Sequence, residues 1–188
     1  MYTRIFPLCA LFLLTCAVGC SGDSGSDAAI EAAPDQPAGS VDPDQLAYAN
    51  NRFGLELLQK VHEPGNDVAV SPVSVSMALQ MVAMGADGQT VAEMRDTMHI
   101  NGIDIGPANA ELLRKMGGRN DVRLEIANSL WSDPGQVEIE PEYVRSVEKY
   151  FHGVARQRAF GDPATRKEIN GWVSERTGGK IPELLKNI

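Results

Sequence analysis

Residues 71–85, SPVSVSMALQMVAMG, decide how this chain folds. Pro72 suits the first position of a helix, where a residue without an N–H leaves no bond unmade. Ser71 stands before it as a candidate N-cap, as Asp42 and Asp162 stand before two other prolines. After Pro72, apolar side chains fall on nearly all sides of the helix instead of on one face. Such a helix is normally buried all round, so the stretch predicts a central helix that other elements surround.

The residues on either side of this helix carry the periodic patterns of ordinary helices and half-buried strands. A helix beginning at Pro43 is predicted to have one apolar face, formed by Leu46, Ala49, Phe53, Leu57 and Val61. A short strand is predicted at Val68–Val70, and a capping box of Thr90 and Glu93 is predicted to open a helix that ends near Met98. The remaining predicted elements are a helix at 108–116, a strand at 122–130, a helix at 141–151, a strand at 154–160 and a helix at 162–176, which Thr177-Gly178-Gly179 ends.

The first forty residues have the features of an exported protein. Arg4 precedes the apolar run Ile5–Val18, which has the length of a secretory signal and is too short to cross a membrane as a helix. Small residues then lead to Cys20, as in a bacterial lipobox, so residues 1–19 are predicted to be a signal peptide and Cys20 to be acylated. The alternative is an ordinary signal peptide with an incidental Cys20. The lipobox predicts an outer-membrane lipoprotein, in the periplasm or at the cell surface.

Residues 20–41 differ in composition from the residues after them. They are rich in Ser, Gly, Ala, Asp and Pro, and such a segment cannot bury enough apolar surface to fold. They are predicted to be a disordered tether that leads to a globular part at 42–188. The only membrane contact expected is through a lipid anchor on Cys20.

The composition argues against several classes of function. Of 188 residues, 17 are Lys or Arg and 25 are Asp or Glu, which gives a net charge of −8, and no basic run occurs. A protein that binds nucleic-acid phosphates needs clustered cations, so nucleic acid is not a predicted partner. Cys9, Cys16 and Cys20 all precede the globular part, which therefore has no disulfide framework and no thiolate metal site.

The candidate catalytic and metal-binding motifs are each incomplete. Ser146 and Lys149 match the Ser-x-x-Lys pattern of penicillin-recognising enzymes, but Ser-Asp-Asn and Lys-Thr-Gly are absent, and a solvated helix face explains the pair better. Glu63 after His62 begins like a zincin helix, which Pro64 would break. The histidines His62, His99 and His152 lack metal-ligand spacing. We therefore predict no catalytic residue, no metal site and no cofactor.

Five sequence blocks stand out by their order and spacing. They are Asn50-x-x-Phe53, Val70-Ser71-Pro72-Val73-Ser74-Val75-Ser76-Met77-Ala78-Leu79, Met84-Gly85-Ala86-x-Gly88-x-Thr90-x-x-Glu93, Ala127-Asn128-Ser129-Leu130-Trp131 and Ile169-Asn170-x-Trp172-Val173-x-x-x-Thr177-x-Gly179-Lys180-Ile181. In this order and spacing they resemble the serpin family of serine protease inhibitors. The resemblance covers residues 45–185 and implies an α+β fold with an N-terminal helical region, strands of the large sheet A and a helix that crosses this sheet. It also implies that Ser71 and Ser74 belong to the shutter, beneath which sheet A opens, although capping explains their hydroxyls equally.

The resemblance implies inhibition of a serine or cysteine protease. In a serpin the protease attacks an exposed reactive loop, forms the acyl-enzyme and is carried along as the cleaved loop inserts into sheet A. Serpins are roughly twice as long, and the other strands of sheet A, most of sheets B and C, the hinge and the reactive loop are not in this sequence. We interpret the chain as a fragment, with a naturally short variant as the alternative. Two other functions stay open: a non-inhibitory serpin acting as a carrier or chaperone, and an exported hydrolase that uses Ser146 and Lys149.

The chain as given is predicted neither to inhibit a protease nor to fold as a stable monomer. The all-round apolar helix needs cover on every side. The strand Val122–Leu130 is expected to have unpaired edges, which are open to aggregation. Residues 42–188 should therefore expose apolar surface.

Overall fold

The computed structural model describes residues 11–13, 41–118 and 126–186. Over these ranges the elements are, in chain order, β1 (Leu11–Leu13), α1 (Pro43–Val61), α2 (Pro72–Met84), α3 (Gly88–Thr97), α4 (Ile105–Gly117), β2 (Asn128–Ser132), α5 (Pro141–Phe151), β3 (Val154–Gln157) and α6 (Pro163–Arg176). Contacts group α1–α4 into one compact unit and β1, β2, α5, β3 and α6 into another. Helices with a small sheet make this an α+β structure, as predicted.

Helix α1 begins and packs largely as its sequence predicts. Asp42 caps it, because the backbone N–H of Asp44 donates to Asp42 Oδ1 (2.9 Å). The predicted apolar positions in its first half, Leu46, Ala49 and Phe53, are buried. Val61, predicted on the same face, is 43% exposed. The predicted face is therefore wrong at its C-terminal end, since that end of α1 lies outside the core of the helical unit.

Helix α2 is the central element of the helical unit and packs against α1, α3 and α4. Its most deeply buried apolar side chains are Met77 and Met81, both 0% exposed. By contrast, Val73, Val75, Leu79 and Val82 are only partly buried. The central position of α2 is confirmed. Its burial is incomplete over the described residues, because α1, α3 and α4 cover only part of its surface.

Two predictions for the segments beside α2 are wrong. Residues 68–70 form no strand and are largely exposed. The described elements of this unit are helices, which offer no strand edge to pair with. Helix α3 begins at Gly88 instead of Thr90: Asp87 Oδ1 accepts from the Gly88 N–H (2.7 Å), which supplies the cap. Glu93 accepts from the Gln89 side chain (2.6 Å). The pattern Thr90-x-x-Glu93 is therefore inside the helix and does not cap it.

Strand β2 is the middle strand of a three-stranded sheet in the second unit. It pairs antiparallel with β1, with Leu11 opposite Leu130, and parallel with β3, with Ser129 opposite Val154. The crossover from β2 to β3 passes through α5, since parallel neighbours cannot be joined by a tight turn. The expectation of unpaired edges is therefore wrong for Ser129 and Leu130, which pair on both sides, and residues 122–125 lie outside the described ranges.

The core of this second unit lies between the sheet and α6. Trp131 of β2 is 0% exposed and forms a cluster with Ile169, Trp172 and Val173 of α6. Asp162 caps α6 as predicted, accepting from the Ala164 N–H (2.8 Å). The helix ends at a turn in which Gly178 (φ +57°) and Gly179 (φ +78°) adopt the left-handed conformation, which confirms the predicted stop signal.

Strand β3 is shorter than predicted. It ends at Gln157, and the backbone N–H of Phe160 donates to the Asp133 carboxylate (2.8 Å). That bond turns the chain away from the sheet, so Phe160, predicted as the last residue of the strand, is 38% exposed.

Candidate functional site

The two predicted shutter serines lie together at the start of α2. Ser71 is partly buried and Ser74 is 5% exposed, and the Ser71 hydroxyl donates to Ser74 Oγ (3.0 Å). Ser71 occupies the N-cap position, but its side chain makes no bond to the helix backbone. The capping interpretation is therefore wrong for Ser71, whose hydroxyl binds the other serine instead.

Close packing holds this end of α2 against α1. A Cβ atom added at Gly54 would overlap with the ring of Pro72, so only glycine lets the two helices approach this closely. One turn further on, the Ser76 hydroxyl is 0% exposed and finds no hydrogen-bond partner within the ranges that the structure covers. The start of α2 thus combines tight backbone contact with three buried or half-buried hydroxyls.

A network of buried side-chain amides joins α1, α2 and α4. The sequence patterns did not predict it. Gln80 is 0% exposed, donates to Asn50 Oδ1 (2.8 Å) and accepts from Asn109 Nδ2 (2.5 Å). Asn109 Nδ2 also donates to the Ile105 carbonyl (2.8 Å). Buried amides are costly without such bonds, so the three side chains favour one register of the three helices. The signal in the sequence was Gln80 itself, a polar residue inside an otherwise apolar stretch.

An ion cluster ties α6 to β3. Glu168 accepts from Arg158 through both carboxylate oxygens (2.6 and 2.9 Å) and from Arg156 (2.9 Å). The hydrogen bond from Arg158 is the largest cause that holds the pKa of the Glu168 carboxyl below its ordinary value. Arg156 also lies over the Trp131 ring, 5.5 Å from its centroid. Helix α6 is thus held by charges as well as by its apolar face.

The three histidines of the incomplete motifs follow three different helices, whereas Ser146 and Lys149 share one helix. Ser146 and Lys149 both lie on α5; Lys149 is exposed, and its Nζ lies 4.7 Å from the centroid of the Tyr150 ring. His62 follows α1, His99 pairs with Glu56 (2.9 Å), and His152 ends α5 in a left-handed conformation. Over the described ranges no group of three His, Cys, Asp or Glu side chains could hold a metal ion.

The predicted lipidation site lies outside the described residues. Cys20 and residues 20–40 belong to a range for which the structure gives no description, and β1 falls within the predicted signal peptide. Among the residues that are described, no helix has the length and apolar character needed to span a membrane. The lipid anchor stays a prediction.

Comparisons with known proteins agree on one family. A family model described as Serpin (serine protease inhibitor) matches residues 48–188. The leukocyte elastase inhibitor of Bos taurus is 36% identical over 149 residues, which are 76% of this chain and 39% of that protein. Serpin B6 of Bos taurus is 34% identical over 151 residues, with 76% of this chain and 40% of that protein covered.

A solved structure shows the same likeness in three dimensions. A thermophilic serpin, tengpin, in its native state matches with a TM-score of 0.69 and 26% identity, over 81% of this chain and 40% of that one. The chain therefore spans about two fifths of the length of the relatives that it matches.

Proposed function

Because the chain belongs to the serpin family, we propose that it is the N-terminal part of an inhibitor of a serine or cysteine protease. The observation that carries the proposal is the family match over residues 48–188, a range that takes in most of α1 and every later element. The names of the relatives, among them leukocyte elastase inhibitors, support a protease as the partner. Serpins are generally inhibitors and not enzymes, in line with the incomplete catalytic motifs of this chain.

The proposed mechanism is that of a suicide substrate. The nucleophile of the protease attacks the carbonyl carbon of one bond in the reactive loop, the peptide bond breaks, and the new amino end leaves with a proton. The carbonyl end stays on the protease as the acyl-enzyme. Insertion of the cleaved loop as a further strand of the sheet then carries the protease with it, before water can release it. The inhibitor contributes no catalytic group to these steps.

Within this mechanism, residues 1–188 contribute part of the sheet and its cover. Strands β2 and β3 belong to the sheet that would receive the loop, and α6 packs on the sheet through Trp131. The reactive loop, which would decide the target, is not among these residues. We therefore propose that residues 1–188 alone do not inhibit a protease.

Ser71 and Ser74 are the proposed shutter residues. Their mutual hydrogen bond and the contact between Gly54 and Pro72 support a role in holding the start of α2 in one position. In the serpin mechanism a shutter residue has to hold its own segment firmly and yet be able to release it. A single neutral hydrogen bond, with a net contribution of about 0.5–1.5 kcal/mol, suits that requirement.

The proposed location rests on the N-terminus. Acylation of Cys20 after cleavage would anchor the protein at the outer membrane, and residues 20–41 would hold the inhibitor domain away from the lipid. A diacylglyceryl group together with an amide-linked chain is sufficient for stable anchoring.

The test of the proposed function is covalent capture of a protease by a form that continues past residue 188 into a complete serpin domain. Incubation with an elastase-type serine protease should yield a complex that survives SDS, and residues 1–188 alone should yield none. Cleavage of the longer form without a stable complex would contradict inhibition and favour a carrier or chaperone. Acylation of residues 1–188 by a fluorophosphonate probe, lost in Ser146→Ala, would instead revive the hydrolase alternative.

A further inference from the structure

Polar side chains on one face of α6 hold the segment after the helix. Arg166, Asn170 and Thr177 are spaced four and seven residues apart, which places them on the same side of a helix or its last turn. All three bind backbone groups of residues 181–186: Arg166 donates to the Lys186 carbonyl (2.9 Å), and Thr177 Oγ1 accepts from the Ile181 N–H (3.1 Å). We call these three side chains and residues 181–186 the clasp.

Asn170 is the centre of the clasp because it uses both ends of its amide. Its Oδ1 accepts from the N–H groups of Leu184 (3.0 Å) and Leu185 (2.8 Å), and its Nδ2 donates to the Leu185 carbonyl (2.8 Å). Irregular backbone has no ladder partners of its own, so one side chain here takes the place of a neighbouring strand.

Apolar packing reinforces the same attachment. Leu185 is 8% exposed and belongs to the cluster that Ile169 and Trp172 of α6 form with Trp131 of β2, and Ile181 and Leu184 pack against this cluster. The segment thus contacts α6 through its backbone and through its apolar side chains. It runs along the surface of the helix instead of leaving it.

The contacts of α6 with β3 and with the two residues after it, Arg158 and Ala159, are of a different kind. Glu168, Arg156 and Arg158 keep 32%, 39% and 43% of their side-chain surface exposed, so solvent screens their attraction. A second bond runs from the Thr165 hydroxyl to the Ala159 carbonyl (2.7 Å). The residues that bind β3 are not those that bind residues 181–186, so the two attachments can be weakened separately.

We propose that Asn170 joins α6 and residues 181–186 into a single body, which stays on the sheet or leaves it as one piece. Its consequence for inhibition rests on the proposed function: a strand that enters a sheet beneath a covering helix must displace that helix. With the clasp closed, the helix carries the segment 181–186 with it. Asn170 is therefore a positioning residue, whose effect is on the movement of α6 and not on any reacting atom.

Hydrogen exchange, resolved to single amides, tests the clasp on the full chain of 188 residues. In Asn170→Ala the amides of Leu184 and Leu185 lose their acceptor, and their exchange should speed up about tenfold, which corresponds to about 1.4 kcal/mol. The amides inside α6 should keep their protection, since alanine favours a helix more than asparagine does. Asn170→Asp keeps the acceptor and loses only the donor. In this variant the amides of Leu184 and Leu185 should exchange at rates between those of the wild type and Asn170→Ala.

Two further variants separate the clasp from general loosening. Lys167→Ala removes an exposed side chain of the same helix and should leave Leu184 and Leu185 unchanged. Glu168→Gln weakens the attachment to β3. It should speed exchange of the Arg158 amide, which donates to the Ser132 carbonyl (2.8 Å), while Leu184 and Leu185 keep their wild-type rates.

The proposal is overturned if Glu168→Gln loosens residues 184–185 as much as Asn170→Ala does, or if Asn170→Ala leaves them unchanged. It is overturned as well if those two amides are unprotected in the wild type, whether or not the rest of the chain is protected. None of these readouts involves a protease, so failure of the clasp and failure of the proposed inhibition can be told apart.

Discussion

Three exposed apolar side chains on α1 should drive residues 42–188 to self-associate. Leu55, Leu58 and Val61 are 48%, 37% and 43% exposed and recur at three-residue steps, which places them along one side of the helix. Fully burying a valine or leucine contributes about 1.5–3 kcal/mol, so covering the exposed two fifths of all three would contribute roughly 2–4 kcal/mol. Water-exposed strips of this kind are association sites.

The perturbation is the triple substitution Leu55→Gln, Leu58→Gln and Val61→Gln in a chain that starts at Asp42. Its self-association constant should be about 30 to 700 times lower than that of the unsubstituted chain, the factor that corresponds to the estimated free energy. Sedimentation velocity measures the association, and binding of a hydrophobic dye measures the exposed surface. Val68→Gln is the control, because Val68 is 38% exposed but lies outside α1.

A monomeric chain with a cooperative unfolding transition would refute this reasoning and would show that the short form is a domain in its own right. So would a triple variant that associates as strongly as the chain it derives from. In that case the association would come from another surface, and not from the strip on α1.

The remaining predictions concern the anchor, the shutter and the ion cluster. Cys20→Ala should move the protein from the membrane to the soluble fraction, and a wild type that is already soluble with an unmodified N-terminus would exclude the anchor. Ser74→Ala, in a form with a complete serpin domain, should lower the free energy of unfolding by about 0.5–1.5 kcal/mol and give polymers on mild heating, through loss of the bond from Ser71. Unchanged melting without polymers would contradict the shutter role. Because Arg158 lowers the pKa of Glu168, the stabilising effect of this carboxylate should be present above its unfolded-state pKa and be lost as the pH falls through the folded-state pKa. Glu168→Gln should remove that part of the acid dependence in a pH series of thermal melts, and an unaltered acid limb would count against the cluster.

The sequence by itself determined the features that depend on neighbours along the chain. Helices α1, α2, α5 and α6 begin at their prolines as predicted, and Asp42 and Asp162 cap two of them. A cap or a stop signal involves residues within one turn of each other, so its geometry is the same in any fold. The family was also readable from the sequence, because its blocks are local stretches in a fixed order.

Only the tertiary structure decided what distant residues do to one another. The burial of Gln80 depends on Asn50 and Asn109, 30 and 29 residues away, and no periodicity encodes such a partnership. Residues 68–70 have the composition of a strand, yet a strand needs an edge, and the described residues of the helical unit offer none there. The same is true of β2, which pairs with a strand on each side, and of Asn170, which binds the backbone of residues 184–185. These contacts also join residues that are distant in the sequence. Local propensities amount to a fraction of a kilocalorie per residue, so wherever burial or a hydrogen bond from a distant residue competes, the tertiary contact decides the outcome.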